Sequence, residues 1–353
     1  MKRETIDIKS APVLITGAAG FIGFHFAKLL LDEGIDVVGF DNLNDYYDVR
    51  LKHSRLDILH QYDAFSFVKG DLADEKAVDE LFLAYALQVV VHLAAQAGVR
   101  YSIECPRAYI NSNIVGCFNV LEACRHHSVS HLVYASSSSV YGNRTETPFR
   151  VGDNVSTPAS LYAATKISNE AMASSYAHLY GIPATGLRFF TVYGPYGRPD
   201  MACFHFADKI SNKEPIQVFN NGDLYRDFTY IDDITAAMRL LLCCPPEASA
   251  TKDTQARHKV YNIGGGHPEH LLYFIEALEN ALGIKAMKEL CPMQPGDVYR
   301  TFADTTDLEK DFGFVPKVRI EEGLDLFARW YREYYGLDKN KGTYTNHPSS
   351  HHL

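Results

Sequence analysis

The stretch from Val13 to Gly23 restricts the fold more than any other part of this 353-residue chain. Val13 to Thr16 is apolar and β-prone, and Gly17, Gly20 and Gly23 follow at a spacing of three. Phe21 to Glu33 then carries apolar residues at helical intervals. Strand, tight turn and helix in direct succession open a βαβ unit, the building block of parallel sheets. The three glycines permit the turn, a close backbone approach to a pyrophosphate, and close packing of helix on strand. The helix start, with Phe21 and Ile22, offers unpaired N–H groups and the positive end of the helix dipole to an anion. A glycine pattern alone marks only a turn. Here Asp41 stands at the end of the next apolar run, Asp36 to Phe40, about twenty residues on, where a carboxylate meets the adenosine ribose of a dinucleotide. That carboxylate would repel a 2′-phosphate, and Asn42, Leu43 and Asn44 bring no arginine to offset it, so the cofactor expected is NAD.

The rhythm continues with strands at Phe65 to Val68, Val89 to Leu93, His131 to Ala135 and Ala184 to Phe190. Helices are expected from about Asp74 and from Pro106 to about His127. Asp71 and Leu72 follow the third strand, at the adenine end. Leu93, Ala94 and Ala95 follow the fourth and are small enough, in part, for close backbone approach. From about Thr191 the segments become turn-rich, with helices near His270 to Leu282 and Ile320 to Tyr335. Glu247 to Lys259 reads as a polar exposed loop, and the tail as disordered. The expected architecture is α/β: a Rossmann doubly wound parallel sheet over 1–190 and a smaller C-terminal α/β substrate domain over 191–335. Residues 336–353 form the tail, and the second region has room to return a strand or helix to the first. A hydrophobic content of 46% allows cores of that size. The net charge of −9 argues against a nucleic-acid or membrane-surface role, the start lacks a signal-peptide pattern, and no run is long enough to span a membrane. The seven cysteines are scattered without zinc-ligand spacing, which suits reduced thiols in a cytoplasmic protein; no metal site is expected.

Tyr162 and Lys166 sit four apart, on one face of a helix. A tyrosine working as a base near pH 7 needs its pKa lowered by about three units, which a lysine cation, a nicotinamide cation and a sugar hydroxyl could supply. The spacing alone is common. It gains meaning from Ser136 to Ser139 at the carboxyl end of a parallel strand, where ligands bind in such sheets.

In this order the glycine turn, the serine segment ending Val140-Tyr-Gly142, and the Tyr162/Lys166 pair resemble the extended short-chain dehydrogenases. Within them the chain is similar to the UDP-glucuronate 4-epimerases from about Val13 to about Tyr335. The stretches that carry this are Asp41 to Asp48, Ala97 to Ser102 and Thr191 to Met201. The resemblance implies that Tyr162 is the general base, that Lys166 holds the nicotinamide ribose, and that Ser137 bonds the sugar 4-hydroxyl. It implies hydride transfer from C4 to NAD and back, through a 4-keto sugar, to give UDP-galacturonate. It assigns Arg226, read as lying in a turn before a helix, to the diphosphate and Asp297 to the uridine ribose, and it suggests a homodimer. Dehydratases and decarboxylases of the group carry an acid just before Val-Tyr-Gly; this chain has Ser139. The alternatives are a UDP-glucose/UDP-galactose 4-epimerase sharing every catalytic residue, a UDP-glucuronate decarboxylase, and a non-catalytic NAD-binding protein. The intact Ser137, Tyr162 and Lys166 disfavour the last.

Oxidising UDP-glucuronate at C4 makes a β-keto acid, which loses CO₂ when the carboxylate bond aligns with the ketone. Ser138, Ser139, Thr191 and Arg198 are donors suited to holding the carboxylate out of that alignment. Arg100, after a strand-end loop, is expected to reach the sugar. Arg300 reads equally as a ligand or a surface ion pair. Arg188, His92 and Trp330 read as structural, and Asp232 with Asp233 as a helix start.

Overall fold

The computed structural model describes residues 5–248, 257–293 and 298–337. Asp297, the expected disordered tail beyond residue 337, and most of the polar insert lie outside them.

The chain begins β1 (Val13–Thr16), α1 (Phe21–Asp32), β2 (Val37–Asp41), α2 (Val49–Leu59), β3 (Phe65–Lys69), α3 (Glu75–Ala84) and β4 (Val89–His92). Every residue of β1, β2 and β4 is buried, as strands covered by helices on both faces must be. Asp74 starts α3 by accepting from the N–H groups of Lys76 and Ala77. Two short turns of helix follow, α4 (Tyr101–Glu104) and α5 (Pro106–Tyr109), then a π-helical stretch Ile110–Val115 and α6 (Gly116–His126). The sequence reads one helix from Pro106 to His127. The wider turn inside it brings Asn113 to the sheet, where its side chain accepts from Gln96 N and donates to Gln96 O and Thr165 Oγ1. Next come β5 (His131–Ser137), α7 (Leu161–Tyr180) and β6 (Ala184–Phe189). Ser160 caps α7 through Ala163 N, and Gly181 ends it in the left-handed conformation.

The rest is β7 (Thr191–Tyr193), α8 (Ala202–Ser211), β8 (Ile216–Val218), β9 (Tyr225–Tyr230), α9 (Ile231–Leu242), β10 (His258–Ile263), β11 (Pro268–His270), α10 (Leu271–Leu282), β12 (Lys288–Leu290), α11 (Thr306–Phe312) and α12 (Ile320–Tyr334). The main sheet runs β10-β6-β5-β4-β1-β2-β3, parallel throughout. Strand order reverses between β1 and β4, and in such sheets the ligand crevice opens at the carboxyl ends there. β10 corrects the loop expected up to Lys259: His258 and Lys259 are already paired with Ala184 and Thr185 of β6. Two small sheets, β11-β9-β7 and β12-β8, build the second region. One apolar cluster joins both halves, with Phe24 and Leu30 of α1, Ile234 and Met238 of α9, and Phe327 of α12.

Arg226 is not in a turn. It lies in β9, which pairs antiparallel with β11 and parallel with β7. The polar look of the segment hides the strand because Asp227 is fully buried and accepts from three backbone donors, Gly265 N, Gly266 N and Ala303 N.

Candidate active site

A cleft along the carboxyl ends of the parallel strands is lined by residues that include Gly17 of the glycine turn and Arg198 of the second region. At the glycine turn the fit is close. A Cβ on Gly17 would stand 2.8 Å from Ala94 N, and one on Gly23 would stand 2.1 Å from Gly17 O. Gly17 also has φ +75°, a conformation glycine adopts without strain. α1 has no side chain capping its start, so its first N–H groups remain for an anion. Asp41 ends β2, accepting from Ala19 N at 3.2 Å and Leu43 N at 2.8 Å. Asn42 donates to Asp71 at 3.2 Å across the strand ends. Gly20, Phe21, Ile22, Leu72, Leu93, Ala94 and Ala95 line the same cleft. A bare glycine turn, an open helix start and an acid at the second strand end fit a dinucleotide.

The reacting end is built where β5 stops. Ser137 ends that strand, and its hydroxyl receives Ser139 N at 3.2 Å, which turns the chain toward Ser138 and Ser139. One α-helical turn separates Tyr162 from Lys166, and both line the cleft with Ser137. Lys166 is 4% exposed and donates to Ala135 O at 2.9 Å; burial lowers its pKa to about 8. Burial pushes the Tyr162 phenol above its ordinary value, while a hydrogen bond with Ser137 and the charge of Arg198 pull it back down. Behind the site, a buried ion pair at 2.7 Å joins Arg188 of β6 to Glu170 of α7, and Ser136 donates to the same carboxylate. Arg188 is structural, as its strand position suggested. His92 is buried at the end of β4 against Thr16 Oγ1, 2.8 Å away. Trp330 packs against the core, and Asp233 in the first turn of α9 accepts from Lys317 N and Val318 N.

Thr191 and Arg198 line the cleft beside the serines; Arg100 and Arg226 are not among its lining residues. Arg100 lies over the Phe219 ring, 5.5 Å from its centroid. Arg226 donates to Tyr225 O and Tyr299 O, and Arg300 stacks on the Tyr225 ring at 4.3 Å, so the two arginines share one tyrosine. The sequence reading missed Lys52, which is 5% exposed, lines the cleft and stands 3.5 Å from Asp41 Oδ1. It also missed Tyr46 and Tyr47, although both fall in the segment that carried the resemblance. Their pairing of phenols with a glycine-rich cleft was the available signal.

A family model described as GDP-mannose 4,6 dehydratase matches residues 14–327. A probable UDP-glucuronate 4-epimerase of Rhizobium meliloti is 49% identical over 331 residues, 91% of this chain and 97% of that protein. The structure of a UDP-glucuronic acid 4-epimerase from Bacillus cereus, in complex with UDP-glucuronic acid and NAD, superposes with a TM-score of 0.83. It is 33% identical, over 92% of this chain and 100% of that one. A UDP-glucose 4-epimerase from Thermus thermophilus, in complex with NAD, gives a TM-score of 0.79 at 30% identity, over 91% and 99%. With its cleft built on the same order of glycine turn, serine segment and tyrosine–lysine pair, the chain belongs to the extended short-chain dehydrogenases, in the family of the UDP-glucuronate 4-epimerases.

Proposed function

We propose that the protein interconverts UDP-glucuronate and UDP-galacturonate, using NAD held in the cleft by the glycine turn, Asp41 and Lys166. Bound there, NAD would supply the reversible hydride acceptance that inversion at the sugar C4 requires. Tyr162 takes the 4-hydroxyl proton and returns it, and Ser137 holds that hydroxyl. Lys166, at the foot of the cleft, stabilises the tyrosinate form. Ser138, Ser139, Thr191 and Arg198 hold the carboxylate out of line with the C4 ketone, which keeps CO₂ on the sugar. Arg226, with Arg300 beside it, is assigned to the diphosphate and Asp297 to the uridine ribose; an arginine fork suits phosphate oxygens.

The observation that carries this reading is the set of carboxylate donors, Thr191 and Arg198, in the same cleft as Ser137, Tyr162 and Lys166, with Ser139 where an eliminating enzyme needs an acid. A UDP-glucose 4-epimerase is the second reading, because Arg198 is already paired with Asp200 and a neutral sugar needs no cation. Incubating the protein separately with UDP-glucuronate, UDP-glucose and UDP-xylose and following C4 configuration by NMR decides between them. Inversion of UDP-glucose alone removes the first reading.

We further propose a homodimer in the cytoplasm. Ile103, Ile110, Val115 and Phe118 leave apolar surface exposed along residues 103–118, beside α7, and a second copy of the chain would cover it. The seven cysteines are all unpaired, which suits a reducing compartment. Among the described residues no helix is long and apolar enough to cross a membrane. Sedimentation of the protein and of Phe118→Glu tests the dimer: both sedimenting alike removes this face as the interface.

A further inference from the structure

Arg198 does not meet the cleft as an isolated cation. Its Nε donates to Asp200 Oδ1 at 3.0 Å, and a terminal nitrogen donates to Asp200 Oδ2. The side chains are 21% and 11% exposed, so this pair is largely out of water. A third group completes it: Tyr46 donates its phenol to Asp200 Oδ2 at 3.2 Å. Tyr46 comes from the segment between β2 and α2, downstream of Asp41, and packs its ring on Tyr101 with centroids 4.7 Å apart. Bare backbone opposes the pair, because a Cβ on Gly98 (φ +106°) would stand 3.4 Å from the Tyr46 oxygen and 3.7 Å from Asp200 Oδ2.

The loop carrying Arg198 and Asp200 is already anchored at other points. His25 Nε2 lies 2.8 Å from Pro195 O, and Arg55 donates to Tyr196 O at 2.7 Å. Asp200 is therefore not required to hold the loop closed, and its effect falls on the guanidinium itself. A guanidinium whose one edge is bound by a carboxylate presents only its other edge to a ligand, and with much of its charge offset. Both matter when the sugar ring has to leave one pose and take another. A fully charged arginine in a buried cleft would bind the sugar carboxylate strongly in each ground state, and binding that the ring must give up as it turns deepens the ground state and slows turnover.

We propose that Asp200, its carboxylate charge tempered by the Tyr46 phenol, is a positioning residue that selects the edge of Arg198 offered to the sugar carboxylate and weakens that grip enough for the ring to turn over. The proposal rests on the C4-epimerase reading above. The pair also sets the charge beside the base, since Arg198 lowers the Tyr162 pKa and Asp200 raises it. The other groups facing Tyr162 are Ser137 at the end of β5, Tyr109 of α5 and Lys166 one turn along α7. A substitution at position 200 changes none of them.

The test compares Asp200→Asn, Asp200→Glu and Tyr46→Phe in the NAD-containing protein, with thermal unfolding checked for each. In Asp200→Asn the released Arg198 should lower KM for UDP-glucuronate about tenfold and lower kcat with it, the pattern of a tightened ground state. The acid limb of its pH–rate profile should move to lower pH, and Asp200→Glu should recover most of kcat. Tyr46→Phe strips a neutral donor from Asp200, strengthens its hold on Arg198, and should move KM and the acid limb the opposite way. A raised KM in Asp200→Asn, or both variants moving the same way, would mean the pair only braces its loop and overturns the proposal. If Asp200→Asn does not fold, Tyr46→Phe decides alone: a lowered KM there overturns it. The unsubstituted protein is assayed first with UDP-glucuronate and UDP-glucose. Turnover of UDP-glucose alone would sink the functional reading, yet the acid-limb shift needs no sugar carboxylate and can still be read with that substrate.

Discussion

Tyr162 has the contacts of a base in waiting. Its phenol is buried, which opposes ionisation, and Ser137 and Arg198 work against that opposition. The protein alone leaves its pKa above the ordinary value, so the remaining lowering has to come from the positive charge and hydroxyl that bound ligands bring. Tyr162→Phe should accordingly keep its fold and its NAD while turnover falls at least about a hundredfold. Turnover within a few-fold of the unsubstituted protein would remove Tyr162 from the mechanism. Arg198→Ala tests a different job. It should raise KM for UDP-glucuronate much more than for UDP-glucose, and should release CO₂ and a 4-keto-pentose during turnover. Full activity on UDP-glucuronate without CO₂ would assign the carboxylate clamp elsewhere. These residues were legible in the sequence because their chemistry is local: a phenol and an amine one helical turn apart, serines at a strand end. Lys52 was not, because only the fold of α2 carries it back to Asp41.

The glycine turn is rigid for a reason that spans β1 and α1 together. A methyl group on Gly23 would have to occupy space 2.1 Å from Gly17 O and 3.1 Å from the Ala18 Cα, both backbone atoms that cannot swing aside. Gly23→Ala should therefore lift α1 off the turn, cost about 1–3 kcal/mol of stability, and abolish NAD retention. Equilibrium unfolding and the absorbance of copurified NAD check both parts. Retention of NAD at normal stoichiometry would show that the turn tolerates a shift. The parallel strands β1, β2 and β4 could be read from sequence because burial on both faces leaves short, mostly apolar runs. α2 was harder. Its inward face holds Lys52 and Arg55 among Leu51, Leu56 and Leu59, so the apolar period is broken where the helix is most buried. Arg55 is wholly buried and its terminal nitrogens donate to Ala19 O, Tyr47 and Tyr196 O, partners that no local pattern reveals. β9 was hidden in the same way by Asp227, a buried acid satisfied by backbone amides.

Two histidines tie the sheet together and make the whole molecule sensitive to acid. His131 is wholly buried, with Nδ1 at 3.0 Å from Leu242 O at the end of α9 and Nε2 at 2.9 Å from Thr185 Oγ1 of β6. His92 lies against Thr16 across β4 and β1. Burial lowers their pKa values to about 4 and about 3 respectively, with Lys166 adding to the effect on His92. In the unfolded chain both bind a proton near pH 6.5. A depressed folded pKa means that the unfolded state takes up protons first. The stability they contribute is thus complete above about pH 6.5 and is lost as the pH falls toward 4. For two such groups the loss between pH 7 and pH 5 is about 4 kcal/mol, a range in which most carboxylates have not begun to titrate. Because one apolar cluster spans both halves, this loss should appear as a drop in a single urea midpoint rather than as release of one half. His131→Gln, which keeps hydrogen-bonding capacity without the proton site, should remove one group's share of the pH dependence, about 2 kcal/mol between pH 7 and pH 5, whatever it does to stability at pH 7, while His25, which burial also lowers to about 4, keeps its own share. A midpoint that stays level between pH 7 and pH 5, or a slope untouched by His131→Gln, would show that these imidazoles are not held neutral by the fold.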